Sequence, residues 1–407
     1  MNVLYITYLG LLEPIPQAQV LPYLYGLSKN HKLYIFSFEK KEFIQKNRIE
    51  LLTLTKKFQE MNIQWRRFSY HKHPLILSSL YDIFVGFFFS IFWVLRYRIK
   101  IIHARSSVPV AIGFLLKYFF HIQLLYDRRG AMGEEDVEQS GWKHGGWLYH
   151  FSLWFENEIF KKSDAIIVLT KRMHQELSRK LSHLSSPPLI VTIPCCVDLN
   201  KFRTNIDKHL STFYPSFKGK YVFVYSGSLG TYNLLSEMFD FFKIASQKIT
   251  NAHLLILTPD ISAIYKSLQH YPSSFQKMIT FTTASSNDIP SFLSLADCGL
   301  LFRKNSPTAI AASPTKLGEY LASGLAVIAL AHIGDVAQIV STYKIGTLIQ
   351  DYTEKEYQKA THILLELLRD KSTLKRRCRQ AAEEVFSLNE GVKYYSKTYN
   401  ALEELNT

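Results

Sequence analysis

The 407-residue chain has only four cysteines, Cys195, Cys196, Cys298 and Cys378. Four are too few for a disulfide framework, and no Cys-x2-Cys pair or Cys/His cluster has zinc-site spacing. Disulfide-stapled and zinc-ribbon classes are therefore excluded, and a reducing cytosol is the expected compartment. Acidic residues are in deficit: 34 Asp plus Glu stand against 48 Lys plus Arg, a formal net charge of +14. No Asp-x-Asp pair offers carboxylates to a metal, and no internal repeat or low-complexity tract is present. The opening MNVLYITYLG has neither a basic n-region nor a small-residue cleavage site, so it reads as a first β-strand and not as a secretory signal.

What is there is globular. Hydrophobic residues make up 47% and charged residues 20%, which excludes extended disorder. The length suits two domains of roughly 200 residues each. Short apolar runs alternate with helical patterns: 3–7, 32–38, 63–68, 100–104, 123–127, 164–169 and 189–193, then 221–226, 253–258, 278–282, 298–302 and 325–330. Such alternation predicts parallel sheets covered by helices on both faces. Residues 194–220 are polar and irregular, with Pro194, Pro215 and Gly219. The expected organisation is a first α/β domain at 1–199, a linker at 200–219 and a second α/β domain at 220–387. A final helix at 388–405, carrying Tyr394, Tyr395 and Tyr399, is expected to pack back on the first domain. Two doubly wound domains are expected to turn the C-terminal ends of their strands, and so their ligand loops, to a central cleft.

Residues 74–95 read PLILSSLYDIFVGFFFSIFWVL, with Asp82 the sole charge, and Arg96, Arg98 and Lys100 follow. Length and apolarity just meet the criterion for a spanning helix. Asp82 and the strand that follows at once both argue against insertion. A packed helix and an amphipathic helix resting on a membrane are the competing readings, and the aromatic run Phe87, Phe88, Phe89, Phe92 and Trp93 favours lipid contact.

The most informative segment is SPTKLGEYLASGLAVIAL, residues 313–330. Ser313 suits an N-cap, Pro314 the first helical position and Gly324 the helix end. The expected helix, 315–323, opens with free N–H groups and Lys316, an arrangement suited to a phosphate. Glu319, one turn in, is placed to accept hydrogen bonds from two vicinal hydroxyls, as on a ribose. An ordinary capped helix with an exposed glutamate is the plain alternative.

SPTKLGEYLASGLAVI resembles the C-terminal-domain motif of family 4 retaining glycosyltransferases, whose GT-B fold has two Rossmann-like lobes. GLLEPIPQAQVLPYLYGL, IIHARSSVP, LLYDRRG, IPCCVDLNKF and VFVYSGSLGTYN resemble further family segments in the right order. The resemblance implies that Glu319 holds the nucleotide ribose, and that Ser313, Pro314 and Thr315 meet the donor diphosphate. It implies that Ser226, Gly227 and Ser228 lie beside the donor phosphates, and that Gly10 and Leu11 approach them from the N-terminal lobe. Glu13, Gln17, Asp127, Arg128 and Arg129 are expected on the acceptor side, the last two to bind an acceptor phosphate or orient hydroxyls; a salt-linked turn is the alternative for DRRG.

Three departures qualify the resemblance. Ala311 stands where the first glutamate of the Glu-x7-Glu motif is expected, which puts its contact to the transferred sugar in doubt. The usual Arg and Lys are missing from SGSLGTYNLL, so Lys316, Arg303 and Lys304 are the expected substitutes on the leaving diphosphate. Where relatives have a His near the acceptor, this chain has His103 and Arg105, which with Lys316 are the expected catalytic residues. No cofactor, metal or covalent nucleophile is expected. The expected function is retaining transfer from a nucleotide-diphosphate sugar to a glycan or lipid-linked acceptor in surface polysaccharide or glycoconjugate synthesis. The enzyme is expected in the cytoplasm, with peripheral contact to an anionic membrane through 74–100. A nucleotide-sugar epimerase on the same fold is the alternative. A nucleic-acid-binding protein, a different class, rests on one dense cluster, KRRCR at 375–379, and no nucleic-acid partner is expected.

Overall fold

The computed structural model describes residues 1–71, 73–140, 142–202, 204, 214, 217–230 and 232–404. The chain forms two compact units, Met1–Pro194 with the stretch from Leu388 onward, and Cys195–Ser387. Much of the segment expected as a linker, 200–219, lies outside the described residues.

The first unit is built on seven strands: β1 Asn2–Thr7, β2 Lys32–Glu39, β3 Gln64–Ser69, β4 Ile101–Arg105, β5 Gln123–Asp127, β6 Ala165–Val168 and β7 Leu189–Thr192. All pair in parallel, in the order β3-β2-β1-β4-β5-β6-β7. The central strands β1, β4 and β5 are buried along almost their whole length, as a sheet covered on both faces requires. The second unit has six: β8 Tyr221–Ser226, β9 Ala252–Leu257, β10 Ile279–Thr282, β11 Cys298–Leu301, β12 Ala326–Leu330 and β13 Gly346–Ile349, ordered β10-β9-β8-β11-β12-β13 and again parallel. β13 is absent from the sequence reading. Its four residues alternate buried and half-buried and begin at a glycine whose added Cβ would lie 1.9 Å from the Val327 carbonyl oxygen, so the strand has no apolar run to announce it.

In each unit the strand order reverses direction between neighbours, at β1/β4 and at β8/β11. Ligand loops of doubly wound sheets gather at such switch points, beyond the strands' C-terminal ends.

Residues 75–97 form one helix, Leu75–Tyr97, against the first sheet. Trp93 meets Phe36 of β2 at a tilted 4.5 Å, and a Cβ on Gly86 would lie 2.5 Å from Ile112 Cδ1 in the Ser107–Phe120 helix. Asp82 is buried and accepts a hydrogen bond from Tyr8 Oη at 2.7 Å, with His71 Nδ1 at 2.6 Å. The charge that counted against a membrane span is thus an internal ligand of the first unit. The last helix, Leu388–Glu404, belongs to the first unit and packs on the Leu21–Leu27 helix.

Candidate functional site

In the second unit the switch point is closed by the Thr315–Ala322 helix. Its residues 316 and 320, four apart, share a face, and both address the end of β8. Lys316 Nζ donates to Tyr225 Oη at 2.9 Å and sits 4.0 Å from that ring's centroid. The lysine stem crosses Gly227, where a Cβ would come within 2.8 Å of Lys316 Cε and where φ is +123°. Only glycine gives both the space and the backbone conformation. Tyr320 Oη accepts from the Ser226 N–H at 3.1 Å, and its ring lies on Gly299 of β11, where a Cβ would be 2.1 Å away.

Partial burial sets the charges. The Lys316 amine is pushed down to about 7, with Glu319 opposing and Arg303 adding to the shift. Burial pushes the Glu319 carboxyl up to about 7 against the pull of Lys316. Among the described residues nothing hydrogen-bonds to the Glu319 carboxylate. Arg303, just past β11, stacks on the Tyr232 ring at 4.9 Å and reaches Thr308 Oγ1 at 3.4 Å. Lys304 is exposed. Ala311 is buried at the end of the Pro307–Ala311 helix.

Several expectations for this region change. Pro314, not Ser313, occupies the N-cap position and makes no side-chain cap. Ser313 Oγ instead accepts from the Cys195 N–H at 3.2 Å, tying the loop to the start of the unit. The N–H groups of Ser226 and Gly227 are taken by Tyr320 Oη and the Leu257 carbonyl, so they are not presented to a phosphate. Ser228 is exposed, and its carbonyl accepts from Tyr225 Oη and Asn233 Nδ2. Anion-binding capacity therefore rests on Lys316 and on the N–H groups of Thr315 and Lys316 at the helix start, since the Leu317 N–H already donates to the Pro314 carbonyl at 3.0 Å.

The first unit's switch point holds a different arrangement. The Gly10 and Leu11 N–H groups, expected to face a diphosphate, are already capped by carboxylates: Gly10 N donates to Glu13 Oε1 and Leu11 N to Glu39 Oε1, both at 2.9 Å. Glu13 also pairs with Lys40 at 2.6 Å, and Gln17 Nε2 donates to the Leu11 carbonyl at 2.8 Å. Burial pushes the Glu39 carboxyl up, against hydrogen bonds from Ser37 and Leu11 that favour its ionised form. Sequence reasoning passed over Glu39; its signal was a carboxylate ending the buried strand KLYIFSFE.

His103, Arg105 and Asp127 meet because β4 and β5 pair in register, Arg105 opposite Asp127, with His103 two residues back on the same face. Asp127 is fully buried, with Arg105 Nη1 at 3.1 Å, Arg129 Nε at 2.9 Å and His103 Nε2 at 3.4 Å. Tyr395 and Tyr399, one turn apart on the last helix, complete the cluster. Tyr395 Oη donates to Asp127 Oδ2 at 3.1 Å and meets Arg129, and Tyr399 Oη lies 2.6 Å from His103 Nδ1. Burial disfavours the Asp127 carboxylate, but Arg129, His103 and Arg105 outweigh it and hold the carboxyl well below its usual range. Burial also lowers the His103 pKa, against the opposing pull of Asp127.

The acceptor-side and catalytic expectations shift accordingly. His103 and Arg105 are buried in this network and do not face solvent, since a buried aspartate needs their cations and donors. Arg128 pairs with buried Glu156 at 2.9 Å, the salt-linked alternative for the DRRG turn. Arg129 lies partly exposed at the network's edge. Next to it, Ser106 has φ +74° and ψ −174°, a region that belongs to glycine, so local strain marks this switch point too.

The basic cluster at 375–379 is structural in part. Arg379 donates to the carbonyls of Leu199, Phe202 and Ala322, the last capping the Thr315–Ala322 helix, and Cys378 is buried. Among the described residues no group of three or more His, Cys, Asp or Glu side chains is arranged to hold a metal ion.

No curated protein sequence matches the chain. Residues 209–385 match the family model described as "Glycosyl transferases group 1". Among solved structures, the chain is similar to a glycosyltransferase from Rickettsia africae (TM-score 0.71, 12% identity, 98% of each chain covered). It is also similar to sucrose-phosphate synthase from Thermosynechococcus elongatus (0.69, 16%, 99% of each). Anabaena HepE in complex with UDP-glucose is a further match (0.69, 12%, 98% of this chain and 100% of that one). The two parallel-sheet α/β domains thus share the GT-B type of fold with these structures, and within the second the segment 209–385 is similar to group 1 glycosyl transferases.

Proposed function

We propose that the chain transfers a sugar from a nucleotide-diphosphate donor, with retention of anomeric configuration, to a hydroxyl of a glycan or lipid-linked acceptor in surface polysaccharide or glycoconjugate synthesis. The observation that carries this reading is the pairing of Lys316, laid across Gly227, with Glu319 one turn on and unpartnered. A diphosphate diester fits the cation and the helix N-terminus; a ribose diol fits the free carboxylate. UDP-glucose, bound in the Anabaena HepE structure, is the first donor to try.

In the reaction the bond from the anomeric carbon to the diphosphate oxygen breaks as the acceptor oxygen bonds to that carbon. The acceptor's proton passes to the departing diphosphate. Charge growing on the leaving group is opposed by Lys316 and by N–H groups already oriented, which favours the transition state over the bound donor. We assign no covalent nucleophile, with Ala311 at the position of the missing glutamate. The acceptor is assigned to the first unit near Arg129 and Glu13, and the protein to the cytoplasm, on the inner face of the plasma membrane.

Incubation with a panel of labelled nucleotide sugars, with and without membrane extract as acceptor source, tests this. Release of nucleoside diphosphate that depends on the extract, with label entering a glycan, is expected. An epimerised nucleotide sugar formed without any acceptor would instead establish the epimerase reading.

A further inference from the structure

The Leu75–Tyr97 helix is inside out for a protein in water. Its fully buried positions are Ser78, Asp82, Gly86, Ser90 and Val94, a strict four-residue stripe that is polar or small at four of five places. Its large side chains face outward: Leu77, Phe84, Phe88, Phe92 and Leu95 are each more than half exposed. A helix on an ordinary aqueous surface shows the reverse pattern. The stripe is not one helix's peculiarity. Phe87 meets Phe119 at 5.9 Å on the Ser107–Phe120 helix, whose end exposes Tyr118 and Phe119. Phe114 of that helix meets Phe155 at 5.9 Å on the Trp147–Lys162 helix, which exposes Trp147, Phe151 and Trp154. Three helices of the first unit thus join in one aromatic face.

Charge identifies what covers it. Asp82, the only acid of the Leu75–Tyr97 helix, is turned inward to Tyr8 and His71, so no carboxylate of that helix faces out. At the margins stand exposed cations: Arg66, whose guanidinium lies 5.0 Å from the Phe89 ring, and Arg96 and Arg98 at the helix end. A second copy would set +14 against +14, with residues 1–200 holding 25 basic and 16 acidic side chains. An anionic bilayer offers apolar depth to the rings and phosphates to the cations, and tryptophan and tyrosine favour its interface.

We infer that this three-helix face docks the protein onto an anionic lipid bilayer, with the Leu75–Tyr97 helix lying in the interface and not crossing it. Crossing would strip Asp82 of Tyr8 and detach Trp93 from the sheet. The inference refines the membrane placement in the proposed function, yet lipid binding needs no donor or acceptor, so either can fail alone.

The test is vesicle co-sedimentation of the full chain, without nucleotide sugar, on phosphatidylcholine vesicles with and without 30% (about one lipid in three) phosphatidylglycerol. Binding to the anionic vesicles is expected, reduced several-fold in phosphatidylcholine alone or at high salt. The triple variant Phe84→Ser, Phe88→Ser, Trp154→Ser should lose at least about tenfold in partitioning while keeping its melting temperature and nucleotide-sugar affinity. Equal binding by the variant would overturn the inference. So would a wild-type protein that ignores anionic vesicles, or one found by sedimentation equilibrium as a dimer that the variant dissolves and that binds no vesicle.

Discussion

In the proposed donor site, burial pushes the Lys316 amine down and the Glu319 carboxyl up, both to about 7. A bound diphosphate diester, itself not titrating in this range, raises the lysine's pKa. Donor affinity is therefore full below about 7 in the lysine's titration and falls as pH climbs above it. Ribose hydroxyls favour the ionised glutamate and lower its pKa on binding, so affinity falls as pH drops below about 7 in that titration. The product is a bell. Lys316→Met should remove its alkaline limb and Glu319→Gln its acid limb, both measured as nucleotide-sugar dissociation constants from about pH 5 to about pH 9, roughly two decades either side of the midpoint; unchanged limbs would rule out these assignments. Gly227→Ala should displace the Lys316 stem and weaken donor binding at least about tenfold, whereas its neighbour Ser228→Ala should not. The short helix that carries Lys316 and Glu319 was legible in sequence from Pro314 and Gly324 at its two ends, although Ser313 is not its cap. Tyr225, Tyr320 and Glu39 were not, because their roles arise only when distant strands meet.

At the scale of elements, the Leu388–Glu404 helix brings two tyrosine hydroxyls to a buried aspartate, and its contribution is to stability and positioning. Tyr399→Phe removes one hydrogen bond to His103 and should cost about 1 kcal/mol. Asp127→Ala leaves Arg105 and Arg129 without their carboxylate and should cost about 3–5 kcal/mol. Both are read from denaturant midpoints; an Asp127→Ala cost no larger than that of Tyr399→Phe would show the cluster to be solvated. The tyrosines of this helix were visible in sequence as a pattern, but their targets were not. The apolar run at 74–95 was legible as a helix. Its orientation was not, since Ser78, Asp82, Gly86 and Ser90 mark the buried face only once the sheet is known. The short strand β13 escaped because four residues with alternating burial carry little periodicity.

At the scale of the whole molecule, strand–helix alternation fixed two parallel sheets, and twelve of the thirteen strands lie on runs read from sequence. At 12–16% identity, the three solved structures named above share the fold alone. The basic excess now divides by place. Arg105, Arg128 and Arg129 neutralise buried carboxylates, and Arg379 caps backbone. Lys316 lies against Tyr225 in the proposed donor site, and Arg66, Arg96 and Arg98 border an aromatic face. None of these forms a groove-tracking stripe of the kind nucleic acid requires. The most direct test is calorimetric titration of UDP-, GDP-, ADP- and dTDP-sugars into the wild-type chain and into Lys316→Met at pH 7. At least one nucleotide sugar should bind the wild type and weaken at least about tenfold in the variant, with the fold intact. A donor that binds both proteins equally, or no binding by the wild type to any of them, would contradict a nucleotide-sugar site at the Thr315–Ala322 helix.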